Sequence, residues 1–114
     1  MRFVRAGSIR ARDLEDGAVQ RVELEGEVLA IARVGAEIYV VTDRCTHEEA
    51  SLAEGFLEGH VIECPRHGAC FDLRDGRVLS LPAVKSLRTY PVKIEGDAIW
   101  VGLEESAAAS GGAS

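Results

Sequence analysis

Between residues 43 and 82 the chain gathers every cysteine and histidine it has, two of its three prolines, and Gly55, Gly59, Gly68 and Gly76. A stretch so rich in turn formers buries little apolar surface of its own. It needs a staple, such as a bound metal, to hold one conformation. Donors for that staple are visible as Cys45-Thr46-His47 and Cys64-Pro65-Arg66-His67, two short loops that each offer one thiolate and one imidazole. The sixteen residues at 48–63 between them leave room for one short hairpin that returns the second pair beside the first.

Around this stretch the pattern is that of β-strands. Short runs of alternating or β-branched residues recur between turn signals, and no long segment has helical period. Residues 2–6 read as an opening strand, and 8–13 as one helical turn with Ser8 as its cap and Gly17 closing the segment. Residues 19–24, 28–34 and 37–42 read as a meander with turns at Glu25-Gly26 and Gly35-Ala36, where glycine supplies unusual backbone angles. The pattern resumes at 88–94, turns at Glu95-Gly96-Asp97 and ends with a strand at 98–102. The expected fold is all-β: a small antiparallel sandwich over residues 1–103 carrying an inserted, loop-rich cluster-binding subdomain at about 43–83. Residues 104–114, dominated by Ala, Gly and Ser, read as a disordered tail.

Length and charge narrow the functional classes. A chain of 114 residues can build one core but not two. No apolar run approaches the roughly 20 residues needed to span a bilayer, and the start lacks an apolar signal core, so a cytoplasmic location is expected. Thirteen basic against nineteen acidic residues give a net charge of −6, which argues against nucleic acid or an anionic membrane as partner. It suits a carrier that meets a basic patch on a larger protein. Three cysteines cannot all enter a closed disulfide framework. Cys70, three residues past His67, is left over and reads as a small, partly buried apolar side chain.

Two cysteines and two histidines are a legitimate tetrahedral zinc set. Structural zinc fingers, however, place Cys with Cys and His with His on a hairpin and a helix, whereas here each loop mixes the two and no helix follows. A [2Fe–2S] cluster with two thiolates on one iron and two imidazoles on the other fits the mixed loops directly.

The two loops, with Gly68 after the second and Leu81-Pro82-Ala83 downstream, resemble the ligand loops and proline loop of Rieske-type ferredoxins, and residues 2–103 are similar to that family in order and length. The resemblance implies that Cys45 and Cys64 bind one iron of a single Rieske [2Fe–2S] cluster and His47 and His67 the other. Thr46, Pro65, Gly68, Ala69, Phe71, Leu81 and Pro82 would surround it, with Leu81-Pro82-Ala83 shielding one face from water. Two ferric ions, two sulfides and two thiolates sum to zero, so reduction adds only one negative charge, and such centres lie at about −150 to +300 mV. High-potential respiratory members of the family carry a disulfide across the cluster and Ser and Tyr hydroxyls that donate to sulfur. Ala50 and Arg66 stand here at the two cysteine positions, Ala69 at the Ser and Phe71 at the Tyr. Donors to sulfur stabilise the reduced state, and Glu48 and Glu49 disfavour it, so a potential near the lower end is expected.

The remaining candidates have plainer readings. Asp72 reads as a structural residue that bonds loop amides, His60 as a surface turn residue after Gly59, and Tyr90 and Trp100 as core of the last strands. With two of three histidines committed, a mononuclear iron site of two His and a carboxylate cannot be built, and no Gly-x-Gly-x-x-Gly unit is present to bind a dinucleotide. Catalysis by this chain is therefore not expected. The resemblance implies instead a soluble, monomeric one-electron carrier between a flavin-dependent reductase and a terminal aromatic-ring hydroxylating oxygenase, docking transiently with each. Two alternatives are a Rieske-like small subunit of a larger reductase, such as nitrite reductase, and a zinc-stabilised interaction domain.

Overall fold

The computed structural model describes residues 1–43, 51–65, 68–80 and 86–103. Within them the chain forms strands β1 (Arg2–Arg10), β2 (Val19–Leu24), β3 (Glu27–Val34), β4 (Glu37–Thr42), β5 (Phe56–Glu58), β6 (Val61–Glu63), β7 (Cys70–Asp72), β8 (Thr89–Tyr90), β9 (Val92–Glu95) and β10 (Ala98–Leu103). Two single 3-10 turns, Ala11–Asp13 and Leu52–Glu54, interrupt them. All pairings are antiparallel and make three sheets, ordered β1-β10-β9, β2-β3-β4-β8 and β5-β6-β7.

The sheets stack as three layers, with the four-stranded sheet in the middle. Side chains alternate across a strand, so β3 sends Leu29 and Ile31 to one side and Ala30 and Ala32 to the other, all four at 0% exposure. Leu29 and Ile31 join Val40, Ala6, Leu14, Ile99 and Val101 in a core against the β1-β10-β9 sheet. Ala30 and Ala32 join Val41 in a second core with Leu52, Ile62, Cys64, Phe71 and Leu73. Small residues on that side let the loop-rich layer come close. The β5-β6-β7 sheet and the Leu52–Glu54 turn thus form one outer layer, packed on β3 and β4.

Turns follow their glycines. Glu25 and Gly26 both have positive φ, at 51° and 86°, as a two-residue type I′ hairpin turn requires. The β5–β6 hairpin fits into the interval between the two ligand pairs, with Gly59 at φ 59° and His60 in its turn.

Four expectations change. The opening strand does not stop at residue 6 but runs to Arg10, passing an irregularity where Gly7 takes φ 57°. The helical turn is Ala11–Asp13, preceded by Arg10 rather than capped by Ser8. The expected strand at 88–94 is two strands, because Pro91 lacks an N–H and breaks the ladder. β8 before it pairs with β4 in the middle sheet, and β9 after it pairs with β10 in the outer one. Tyr90 is core, its hydroxyl donating to Glu27 Oε1 at 2.7 Å, but Trp100 is only half-buried. It alternates with inward-facing Ile99 and Val101 and so stands on the outer face, in register with Arg5 and Lys93.

Candidate metal centre

Of the predicted ligands and neighbours, Cys64, Pro65, Gly68, Ala69 and Phe71 are described; Cys45, Thr46, His47, His67, Leu81 and Pro82 lie outside the described residues. Among the described residues no three potential metal donors come together. What the structure gives is the frame from which the three segments 44–50, 66–67 and 81–85 depart.

Cys64, the described member of the second predicted pair, sits at the tip of the β6–β7 hairpin. Glu63 pairs with Cys70, and beyond that rung the Cys64 N–H donates to the Ala69 carbonyl at 2.8 Å while the Gly68 N–H donates to the Cys64 carbonyl at 3.3 Å. Gly68 has φ 77°, which closes the tip. Cys64 is 1% exposed, with Ala69 and Phe71 fully buried in the same core. The Cys70 thiol donates to the Gly68 carbonyl at 3.4 Å from a half-buried position, as a partly buried small side chain should.

Asp43 holds the two ends of the first segment together. One carboxylate oxygen accepts from the Ala53 N–H at 2.9 Å. The other accepts from Ser51 Oγ at 2.6 Å and lies 3.4 Å from Arg21 Nε. Its backbone N–H donates to Val28 and its carbonyl accepts from Leu52 at 2.7 Å. Gly55 then ties this end to the second hairpin: a Cβ there would lie 2.0 Å from the Glu63 carbonyl oxygen and 3.2 Å from Pro65 Cδ. No other residue allows that approach. Neither Asp43 nor Gly55 was signalled as a site residue by the sequence, because their partners are set by the fold and not by local spacing.

The third segment is anchored at both described ends. The Leu79 N–H donates to the Cys70 carbonyl at 2.8 Å and the Cys70 N–H donates to Ser80 Oγ at 3.1 Å, while the Leu87 N–H donates to the Gly76 carbonyl at 2.7 Å. Asp72, at the end of β7, accepts from the Arg74 backbone N–H, Nε and Nη2 at 2.9, 3.0 and 2.8 Å. These bonds hold its carboxyl at about 2, well below the usual range, against the opposing effect of burial. Its role is structural, as expected. His60 lies in the β5–β6 turn, its ring edge against Tyr39 at 5.6 Å between centroids.

A buried thiol at the tip of a tightly hydrogen-bonded hairpin, with Leu52 packed in the same core and Leu79 and Ser80 bonded to Cys70, fits the sulfur-ligated end of a metal–sulfur cluster. Beside the tip, Phe56 of β5 is 64% exposed, directly opposite Glu63, with exposed Glu54 and Glu58 next to it.

Residues 7–91 match the family described as the Rieske [2Fe-2S] domain. The chain is 44% identical over 91 residues to the ferredoxin component of a naphthalene 1,2-dioxygenase system from Pseudomonas aeruginosa, covering 80% of this chain and 88% of that one. Among solved structures it resembles the ferredoxin of carbazole 1,9a-dioxygenase from Nocardioides aromaticivorans IC177, at 30% identity and TM-score 0.85 over 91% of this chain and 100% of the other. It is also similar to a chain in a complex of reduced oxygenase and oxidized ferredoxin in carbazole 1,9a-dioxygenase, at 38% identity and TM-score 0.78, covering 82% and 96% of the two chains.

Proposed function

The chain belongs to the Rieske [2Fe–2S] domain family, and from that membership we propose that it is a one-electron carrier which delivers electrons to a terminal oxygenase of an aromatic-ring hydroxylating system. The observation that carries this reading is the 44% identity to a dioxygenase ferredoxin component across most of both chains. One Rieske cluster, held by Cys45 and Cys64 on one iron and His47 and His67 on the other, supplies a single-electron couple when bound. The protein carries charge between other catalysts and does not itself oxidise a substrate.

The chain's own residues bind, orient and shield. Cys64 comes from a buried position, and Ala69, Phe71 and Leu52 around it keep water away. Pro65 and Gly68 shape the tip. Neither Ala69 nor Phe71 has a side-chain hydrogen to donate to sulfur, and both are fully buried. This supports a potential near the low end of the Rieske range, where the reduced state lacks that stabilisation. Phe56 ringed by Glu54, Glu58 and Glu63 offers a partner an apolar contact inside an acidic rim, which favours transient docking on a basic surface. We further read the protein as a cytoplasmic monomer that meets a flavin-dependent reductase and the oxygenase in turn, with residues 1–103 as the working unit. Among the described residues no helix is long and apolar enough to cross a membrane.

Iron and acid-labile sulfide analysis, the electron paramagnetic resonance (EPR) spectrum of the reduced protein and a redox titration test the reading together. Two irons, two sulfides, a rhombic signal of low average g and a potential below zero are expected. Zinc in place of iron would end the proposal, and a clearly positive potential would end its low-potential part. Electron transfer to the oxygenase should slow as salt rises, since the Debye length falls from about 10 Å at 0.1 M to about 3 Å at 1 M.

A further inference from the structure

Asp43 is a carboxylate only 3% exposed, at the point where β4 ends and segment 44–50 begins. Burying a carboxylate is costly unless it is paired and hydrogen-bonded, and a simple turn can be closed by Asn or Ser at lower cost. Here both oxygens are engaged, by Ser51 Oγ at 2.6 Å, the Ala53 N–H at 2.9 Å and Arg21 Nε at 3.4 Å. The backbone of the same residue is bonded to Val28 of β3 and to Leu52. Leu52 itself is fully buried in the core that contains Cys64. One residue therefore fixes both ends of segment 44–50 to β2, β3 and the Leu52–Glu54 turn.

We propose that Asp43 is the positioning residue of the first ligand loop. Its carboxylate, through Ser51 and Ala53, sets the span across which Cys45 and His47 are presented. The proposal rests on the reading of Cys45 and His47 as ligands. A loop whose ends are fixed has fewer conformations to lose when its donors bind. Groups that orient metal ligands from behind them change metal affinity by about 10- to 100-fold when removed.

Asp43→Asn, Ser51→Ala and Ser51→Thr are compared with the parent holoprotein for the rate of iron loss to a ferrous chelator and for the EPR line shape of the reduced centre. Asp97→Asn is the control, since Asp97 also accepts a backbone N–H, from Arg12 at 3.1 Å, and pairs with the Arg12 guanidinium at 2.9 Å, but against the opposite sheet. Asp43→Asn and Ser51→Ala should lose iron roughly 10- to 100-fold faster, with shifted or broadened g-values. Ser51→Thr, which keeps the hydroxyl, should resemble the parent, and Asp97→Asn should change melting alone. Parent-like chelation and line shape in both Asp43→Asn and Ser51→Ala, with only melting lowered, would overturn the proposal. If Asp43→Asn fails to fold, the contrast between Ser51→Ala and Ser51→Thr decides. Cys45→Ser examines the ligand reading separately: loss of the native centre is expected, and retention of the parent spectrum would overturn that reading and this inference with it.

Discussion

At the scale of single residues, two buried carboxylates, Asp43 after β4 and Asp72 at the end of β7, organise the turns around them. Asp72 closes the turn after β7 onto Arg74, and its carboxyl is held at about 2 against an ordinary 3.8. A depressed carboxyl contributes stability that is complete above its unfolded value and fades as pH falls toward its folded one. Asp72→Asn should therefore destabilise the protein at pH 7, and the gap between parent and variant should close as pH drops from about 4 to about 2. Denaturant unfolding of both proteins across that range measures it, and a gap independent of pH would show that the charge is not what matters. The role of Asp72 could be read from the sequence because its partners are two residues away. Asp43 reaches Ser51 across eight positions and Arg21 across the sheet, and no local pattern encodes such contacts.

Elements were legible where period and turn chemistry agree. β2 and β4 run over 19–24 and 37–42 as the alternation predicts, and the hairpin between the ligand pairs lies where its spacing requires. Pro91 could have signalled the break between β8 and β9, but the apolar alternation on either side of it conceals the change of sheet. Trp100 reads as core by its size, although its register places it outside. Gly55 is instructive in another way. Its φ of −89° is open to any residue, so its necessity comes from the neighbouring strand and not from its own backbone. Gly55→Ala should push the Leu52–Glu54 turn away from β6 and cost about 1–3 kcal/mol, the range for overpacking a tight contact. Chemical denaturation gives the value; a cost below about 0.5 kcal/mol would mean that the Leu52–Glu54 turn and β6 can separate freely.

For the whole molecule, two cores share the middle sheet through β3 and β4. Their division could not be foreseen, because the run Leu29-Ala30-Ile31-Ala32 shows that β3 is buried on both faces but not which layer covers which. Alternation and turn signals supplied the strand-based architecture and the likeness to Rieske ferredoxins the assignment of ligands; the three-layer stack shows how the loop-rich layer is carried. A strand walled in on both sides can exchange its amide hydrogens only when both layers leave it, which amounts to global unfolding. The amides of 29–32 should thus be the last to take up deuterium, and stripping the metal should accelerate exchange first in β6 and β7. Should β3 exchange as fast as β6 in the metal-free protein, the two layers form a single cooperative unit. If it lags, the protein can lose its redox centre and still present proteases with a folded sandwich, so that the empty carrier survives long enough to be reloaded.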